Sequence, residues 1–167
     1  GKETVENDRD TIVTNRKEDT ASSNTVTINA EDKNDKVEVK LDNVNIDTSK
    51  QNKAAVSVTG KGDTTIELDG DNELKSGRSH AGLEHNKTDT SGKLTIQDKD
   101  KNGSLDATGG LRGAGIGGGE AQNGQVTITG GDITATAGST PVNTRPLAAV
   151  QVSAAAAAVL ARVARVM

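Results

Sequence analysis

The chain has 167 residues, no Phe, Tyr, Trp or Cys, and only 31% hydrophobic residues, with a formal net charge of −4. Length gives room for about one domain of ordinary size, but the composition excludes a thick core built around aromatic anchors, and also disulfides, thiolate metal sites and cysteine nucleophiles. All 24 acidic residues lie at or before Asp132, together with every basic residue except Arg145, Arg162 and Arg165. That acidic body, without stacking aromatics, argues against a nucleic-acid partner.

The segment 1–24 is polar. It opens at Gly1-Lys2 without Met or the apolar run of a signal peptide, as expected of a fragment of a longer protein. Ile12-Val13 and Val26-Thr27-Ile28 are expected to be strands B and C of a partial first coil. From residue 25 to 138 one three-strand unit repeats. Strand A reads Val37-Glu38-Val39-Lys40-Leu41, Thr64-Thr65-Ile66-Glu67-Leu68, Leu94-Thr95-Ile96 and Val126-Thr127-Ile128. Aligned on Leu41, Leu68, Ile96 and Ile128, its copies recur after 27, 28 and 32 residues. Strand B reads Val44-Asn45-Ile46, a segment ending at Leu74, Leu105-Asp106-Ala107 and Ile133-Thr134-Ala135, and aligns on Ile46, Leu74, Leu105 and Ile133. Strand C reads Ala55-Val56-Ser57-Val58, Ala81-Gly82-Leu83 and Ala114-Gly115-Ile116.

Apolar and polar residues alternate within each strand, as one buried face requires. Turns are expected at Asp42-Asn43, Asp69-Gly70-Asp71-Asn72 and Gly130-Gly131-Asp132. A period near 30 residues marks stacked supersecondary units. The expected fold is therefore all-β, a three-sided right-handed parallel β-helix, or β-solenoid, of about four short coils. Disorder would suit the composition but not the alternating runs. A β-sandwich of short strands is the other reading, and the fixed A, B, C order speaks against it.

After Gly138 the composition shifts to Ala and Val. Residues 139–167 are read as an Ala-rich tail, with Ala154 to Met167 able to form a helical cap over the last coil. A frameshift within the Gly-rich repeat would yield a similar tail, because Gly codons begin GG, Ala codons GC and Val codons GT, so that a Gly-rich stretch read one base out of phase becomes rich in Ala and Val. Ala154 to Met167 is too short to span a membrane and carries two Arg.

Asp98-Lys99-Asp100-Lys101-Asn102-Gly103 matches the start of an EF-hand loop, with oxygen ligands at positions 1, 3 and 5 and Gly at 6, although position 12 is Gly109. A polar A-to-B turn carrying a four-residue insertion explains the same stretch. Stacked turns would also bring Asp69 and Asp71 to this edge, and two carboxylates about 5 Å apart repel by roughly 3 kcal/mol at an effective dielectric near 20. Asp69, Asp71, Asp98, Asp100 and Asn102 are therefore the candidate calcium ligands. Gly113 to Gly119 lacks the Lys and following helix of a phosphate loop and reads as close packing. His80, His85 and Arg78 read as solvated loop residues. Lys93, Arg78 and Arg112 are too scattered for a lyase site, so no enzyme is expected. The outward threonines Thr127, Thr129, Thr134 and Thr136 have Glu38, Lys40, Glu67 and Gln97 at the corresponding sites of earlier coils, which breaks any flat Thr array.

The segments 103–110, 113–119 (Gly-Ala-Gly-Ile-Gly-Gly-Gly) and 126–136 (Val-Thr-Ile-Thr-Gly-Gly-Asp-Ile-Thr-Ala-Thr) resemble the Gly-rich repeats of large bacterial surface proteins. Residues 36–74 resemble the carbohydrate-binding β-helix family of the pectate-lyase-like superfamily. These resemblances imply an extracellular or cell-surface bacterial module, adhesive or binding a polysaccharide, acidic ones included, or a host glycan. They also imply calcium as a cofactor of some members. A structural stalk and, more distantly, a polysaccharide lyase are the rival functions.

Overall fold

The computed structural model describes residues 1–6, 9–16, 19–139, 149–154 and 160–165. The chain winds around three sides in the order C, A, B. Strands β1 (Lys2–Glu6) and β2 (Thr11–Thr14) open it on sides C and A. The first full coil is β3 (Thr25–Ala30), β4 (Lys36–Asp42) and β5 (Asn45–Asp47), and the second is β6 (Val56–Gly60) and a bent β7 (Asp63–Lys75) that covers A and then B. The third is β8 (Leu83–Glu84), β9 (Leu94–Gln97) and β10 (Gly103–Thr108), and the fourth β11 (Ile116–Gly117), β12 (Asn123–Ile128) and β13 (Asp132–Ala137). Strands β14 (Ala149–Ala154) and β15 (Leu160–Arg165) continue sides A and B. Every strand pair among the described residues is parallel, each strand meeting its counterpart one coil later. The fold is a β-solenoid of about four turns, as the repeat predicts.

The alternation decides which side chains go inward. In β4 the exposed or half-buried Lys36, Glu38 and Lys40 alternate with buried Val37, Val39 and Leu41. Stacking then aligns like with like: Val39, Ile66, Ile96 and Ile128 on side A, and Val26, Val56, Leu83 and Ile116 on side C. Together with the inward residues of side B they form one continuous core. The interior is thin where sides B and C meet. A Cβ at Gly115 would lie 2.5 Å from the Thr136 nitrogen and 2.7 Å from the Ala135 carbonyl carbon, so glycine is what lets backbone pack on backbone there. Close packing thus accounts for this part of the 113–119 run.

Four expectations are corrected. Ile12-Val13 belongs to side A rather than B: Val13 pairs with inward Leu41, and Ile12, opposite Lys40, points out and is 58% exposed. Two adjacent apolar residues carry no alternation, so their side was undetermined by pattern. The register is shifted by two at the third coil. Ile66, not Leu68, pairs with Ile96, and Leu74 pairs with Ala107 rather than Leu105. A two-residue slip preserves inward and outward faces. It also puts Thr65, Thr95 and Thr127 in one row, so the threonines align across three coils on side A.

The expected turn at residues 69–72 is a corner within β7, made by Gly70 in the left-handed region (φ 62°). Asn72 beyond it points into the core and is buried. Finally, Leu160–Arg165 is a strand where a helix was expected over Ala154 to Met167, and Ala149–Ala154 before it is a strand as well, with Ala155–Val159, Val166 and Met167 outside the described residues. Val150 and Val152, two residues apart, suit a strand, and the backbone edges of β12 and β13 supply ladder partners that an isolated Ala-rich helix would lack.

Candidate functional site

The acidic A-to-B corner has its carboxylates engaged locally. Asn102 Nδ2 donates to Asp69 Oδ1 at 2.8 Å, and Lys40 Nζ lies 3.7 Å from Asp69 Oδ2. Ser104 Oγ and Asp71 Oδ1 are bonded at 2.8 Å. Asp98, at the first position of the EF-hand pattern, closes its own turn: its two oxygens accept the backbone N–H groups of Asn102 (3.2 Å) and Gly103 (3.0 Å). Lys101 takes the left-handed conformation that this turn requires (φ 57°), and Asp100 stands exposed at its tip. The structure therefore brings Asp69 to Asn102, and joins Asp98 to the backbone of Asn102, while Asp71 turns to Ser104. Among the described residues no three His, Asp or Glu side chains are grouped as a metal shell.

The inserted turn also covers a residue that the sequence pattern places on the outward face. Glu67 is buried, its Oε1 accepts the Lys99 N–H at 2.8 Å, and its Oε2 has no protein partner. On the outer face of side B, Asn45, Glu73 and Asp106 stand in one register row. Glu73 bonds Lys75 and raises the ammonium above its usual range, with Asp47 and Asp106 adding to the effect.

A second site lies on side C and arises from unequal strand lengths. β6 runs to Gly60, but β8 ends at Glu84. The chain then swings outward through residues 85–92 before returning to β9, leaving a cleft of about 300 Å³. Ser57, Thr59 and Lys61 line one wall, and Glu84, Asn86, Thr88, Thr90 and Ser91 the other. Hydroxyl and amide side chains continue outward from it across the preceding coil: Ser57 pairs with Thr27 at 3.3 Å, and Thr59 with Asn29 at 3.0 Å.

His85 holds the cleft at its base. It occupies the next register position after Glu84, opposite Val58, and is buried. Its Nδ1 lies 3.2 Å from the Val58 carbonyl and its Nε2 3.0 Å from the Gly92 carbonyl. The ring thus stands where the missing strand would have offered a backbone donor. This corrects the expectation of a solvated histidine.

His80 is half-buried, with Nδ1 2.9 Å from Glu84 Oε2, which also accepts the Ala81 N–H at 3.0 Å. Asn86 is fixed in turn, its Oδ1 accepting the Gly119 N–H at 2.9 Å. Beyond it, Ser79 and Arg112 both bond Glu120, at 2.6 and 2.8 Å. They occupy the same place in successive turns, both left-handed (φ 70° and 67°), so the repeated turn accounts for their conformation. Because the Ser79 hydroxyl is given to Glu120, it forms no nucleophile–base pair with His80. What the cleft offers is a set of hydroxyl and amide donors and acceptors with one ammonium, Lys61, and one carboxylate, Glu84, which is already bonded to His80 and the Ala81 N–H.

Comparisons with protein-family models, with curated proteins and with solved structures return no match to this chain.

Proposed function

We propose that the solenoid is a non-enzymatic polysaccharide-binding or adhesive module of a secreted or surface-attached bacterial protein. The observation that carries this reading is the side C cleft: a preformed recess about the size of the smallest ligand pockets, bounded by hydroxyl and amide groups, with Lys61 available to a sugar carboxylate. Without aromatic rings, contact with a sugar is polar and individually weak. Affinity then depends on several sugar units engaging the row of Asn29, Thr27, Ser57 and Thr59 as well as the cleft. The resemblance of residues 36–74 to carbohydrate-binding β-helices points the same way, and calcium at the A-to-B corner belongs to this proposal as a structural cofactor.

A glycan array probed with and without calcium tests the reading. Binding that is lost in Thr59→Ala and Lys61→Ala supports it. Silence towards all glycans, acidic ones included, favours the second reading, a stalk or spacer. The observation behind that alternative is the set of links between successive coils, Lys36 to Asp63, Lys40 to Asp69 and Ser104 to Asp71, which join neighbouring coils along the axis.

A further inference from the structure

The side chain at the base of the cleft has an unmatched hydrogen-bond count. Both nitrogens of buried His85 face backbone carbonyl oxygens, Val58 on β6 and Gly92 at the far end of the 85–92 segment. A neutral imidazole has one N–H and one lone pair, so it satisfies one carbonyl and turns its lone pair on the other. Only the doubly protonated ring donates to both. One acceptor belongs to β6 and the other to the end of the 85–92 segment, so the number of protons on one ring decides whether it holds both at once.

We infer that residues 85–92 form a proton-responsive latch, in which protonated His85 ties this segment to β6 and deprotonation releases one of its two bonds. A regulatory effect on ligand capture rests on the glycan reading of the cleft; the latch itself does not. The ends of the segment are anchored independently of the ring. His85 N–H donates to Gly117 O at 2.7 Å, Lys87 N–H to Asn123 O at 2.7 Å, and Gly92 N–H to Gly60 O at 3.1 Å. Loss of one ring bond therefore loosens the wall without unthreading the coil. The direction follows from the donor count: the latched state is favoured at the acid side of the histidine range and weakened as pH rises through it.

The charged and titratable groups on the surrounding elements are Lys61 after β6, and Glu84 on β8 with its partner His80. Lys87 and Asp89 lie on the segment itself. Lys93 lies at its exit beside Asp63, and Glu120 lies on the following coil. Of these only His80 is a second imidazole.

The chain contains two histidines, so single substitutions separate their effects. Hydrogen exchange of the intact chain, without any glycan, should show the Lys87 and Gly92 amides losing about tenfold of their protection between about pH 5.5 and 8, after correction for intrinsic rates. The loss should persist in His80→Gln and vanish in His85→Gln, whose side chain does not titrate. Nitrogen-15 spectra of the unmodified chain give a second readout that needs no variant. His85 should carry protons on both ring nitrogens at the acid end and lose one as protection falls. A single protonated nitrogen throughout, pH-independent protection, or a step that follows His80 instead would overturn the latch. A glycan array that stays silent while the exchange step is present would reject the ligand reading alone.

Discussion

Among the described residues Asn72 is the one amide on the inward face of side B, and its removal is the sharpest test of how the coil corner is held. It lies in the row of Leu105 and Ile133 and is 2% exposed. Its Oδ1 accepts the N–H of fully buried Val44 at 2.8 Å, and its Nδ2 donates to the carbonyls of Asp69 and Ser104, both at 3.1 Å. One side chain thus joins three successive coils. In Asn72→Ala the Val44 N–H is left buried without an acceptor, at a cost of about 1–3 kcal/mol, and two ordinary bonds worth about 1 kcal/mol each are lost. The expected destabilisation is about 3–5 kcal/mol. Asn72→Leu should lose less, because it restores the apolar row while still orphaning Val44. With no aromatic residue in the chain, unfolding has to be followed by far-ultraviolet circular dichroism in urea, with hydrogen exchange at Val44 as the local probe. A loss below about 0.5 kcal/mol, the range of ordinary surface substitutions, with Val44 still protected, would refute the assignment of the corner to this amide.

Three further outcomes are expected. Deleting residues 64–93 removes one coil in register, since Thr64 pairs with Leu94, and should leave a β-type circular dichroism spectrum with a lower urea midpoint; a random-coil spectrum would contradict nearest-neighbour stacking. If calcium occupies the A-to-B corner, it should raise the melting temperature, by the equivalent of about 2.7 kcal/mol at 100 times Kd, and Asp100→Asn should remove that gain without changing the calcium-free melt. Asp98→Asn is the less specific variant because Asp98 also closes its turn, and equal melts with calcium and chelator would dismiss the ion. The hydrogen bond from Lys36, the Lys93 N–H and the charges of both lysines hold the Asp63 carboxyl below the usual range. Its stabilising effect is therefore present above about pH 4 and lost as pH falls through the lowered folded-state value. Asp63→Asn should lower the urea midpoint slightly at pH 7, within the 0–1 kcal/mol of exposed pairs, and leave it unchanged near about pH 2.

The inward faces, the three-sided winding and the strand order were legible because each depends on a short-range pattern. Val37, Val39 and Leu41 alternate with charged residues, and no other strand face would bury them together. Register was not legible to the same degree, because any even shift preserves that pattern. The shift at the third coil follows from volumes and turn geometry between coils. Gly103, paired with Gly70, leaves room for Leu68, whose Cβ would lie 2.6 Å from a Cβ at residue 103. That fit is invisible in either strand alone. Asn72 was misread for a related reason. Asn after Asp-Gly-Asp is a common turn composition, and only the Val44 N–H one coil below makes it an interior residue.

The candidate sites divide along the same line. The EF-hand spacing is a property of one loop, and the loop's own backbone takes up the Asp98 oxygens that the pattern offers to a cation. The cleft is a property of two coils, created by the difference in length between β6 and β8. It did leave a trace in the sequence. Val56 and Val58 are both inward, and the register that pairs Val56 with Leu83 brings the next inward position to residue 85. An uninterrupted coil would carry Val or Ile there, and the chain carries His followed by Asn-Lys-Thr-Asp-Thr-Ser. A polar ring at a position reserved for the core, next to a run that cannot continue the alternation, means that the strand has ended and its neighbour's carbonyl needs another donor. In a solenoid, the informative positions are thus those where one coil breaks the pattern of the coil below, because there a side chain must complete the backbone ladder and the surface acquires a recess.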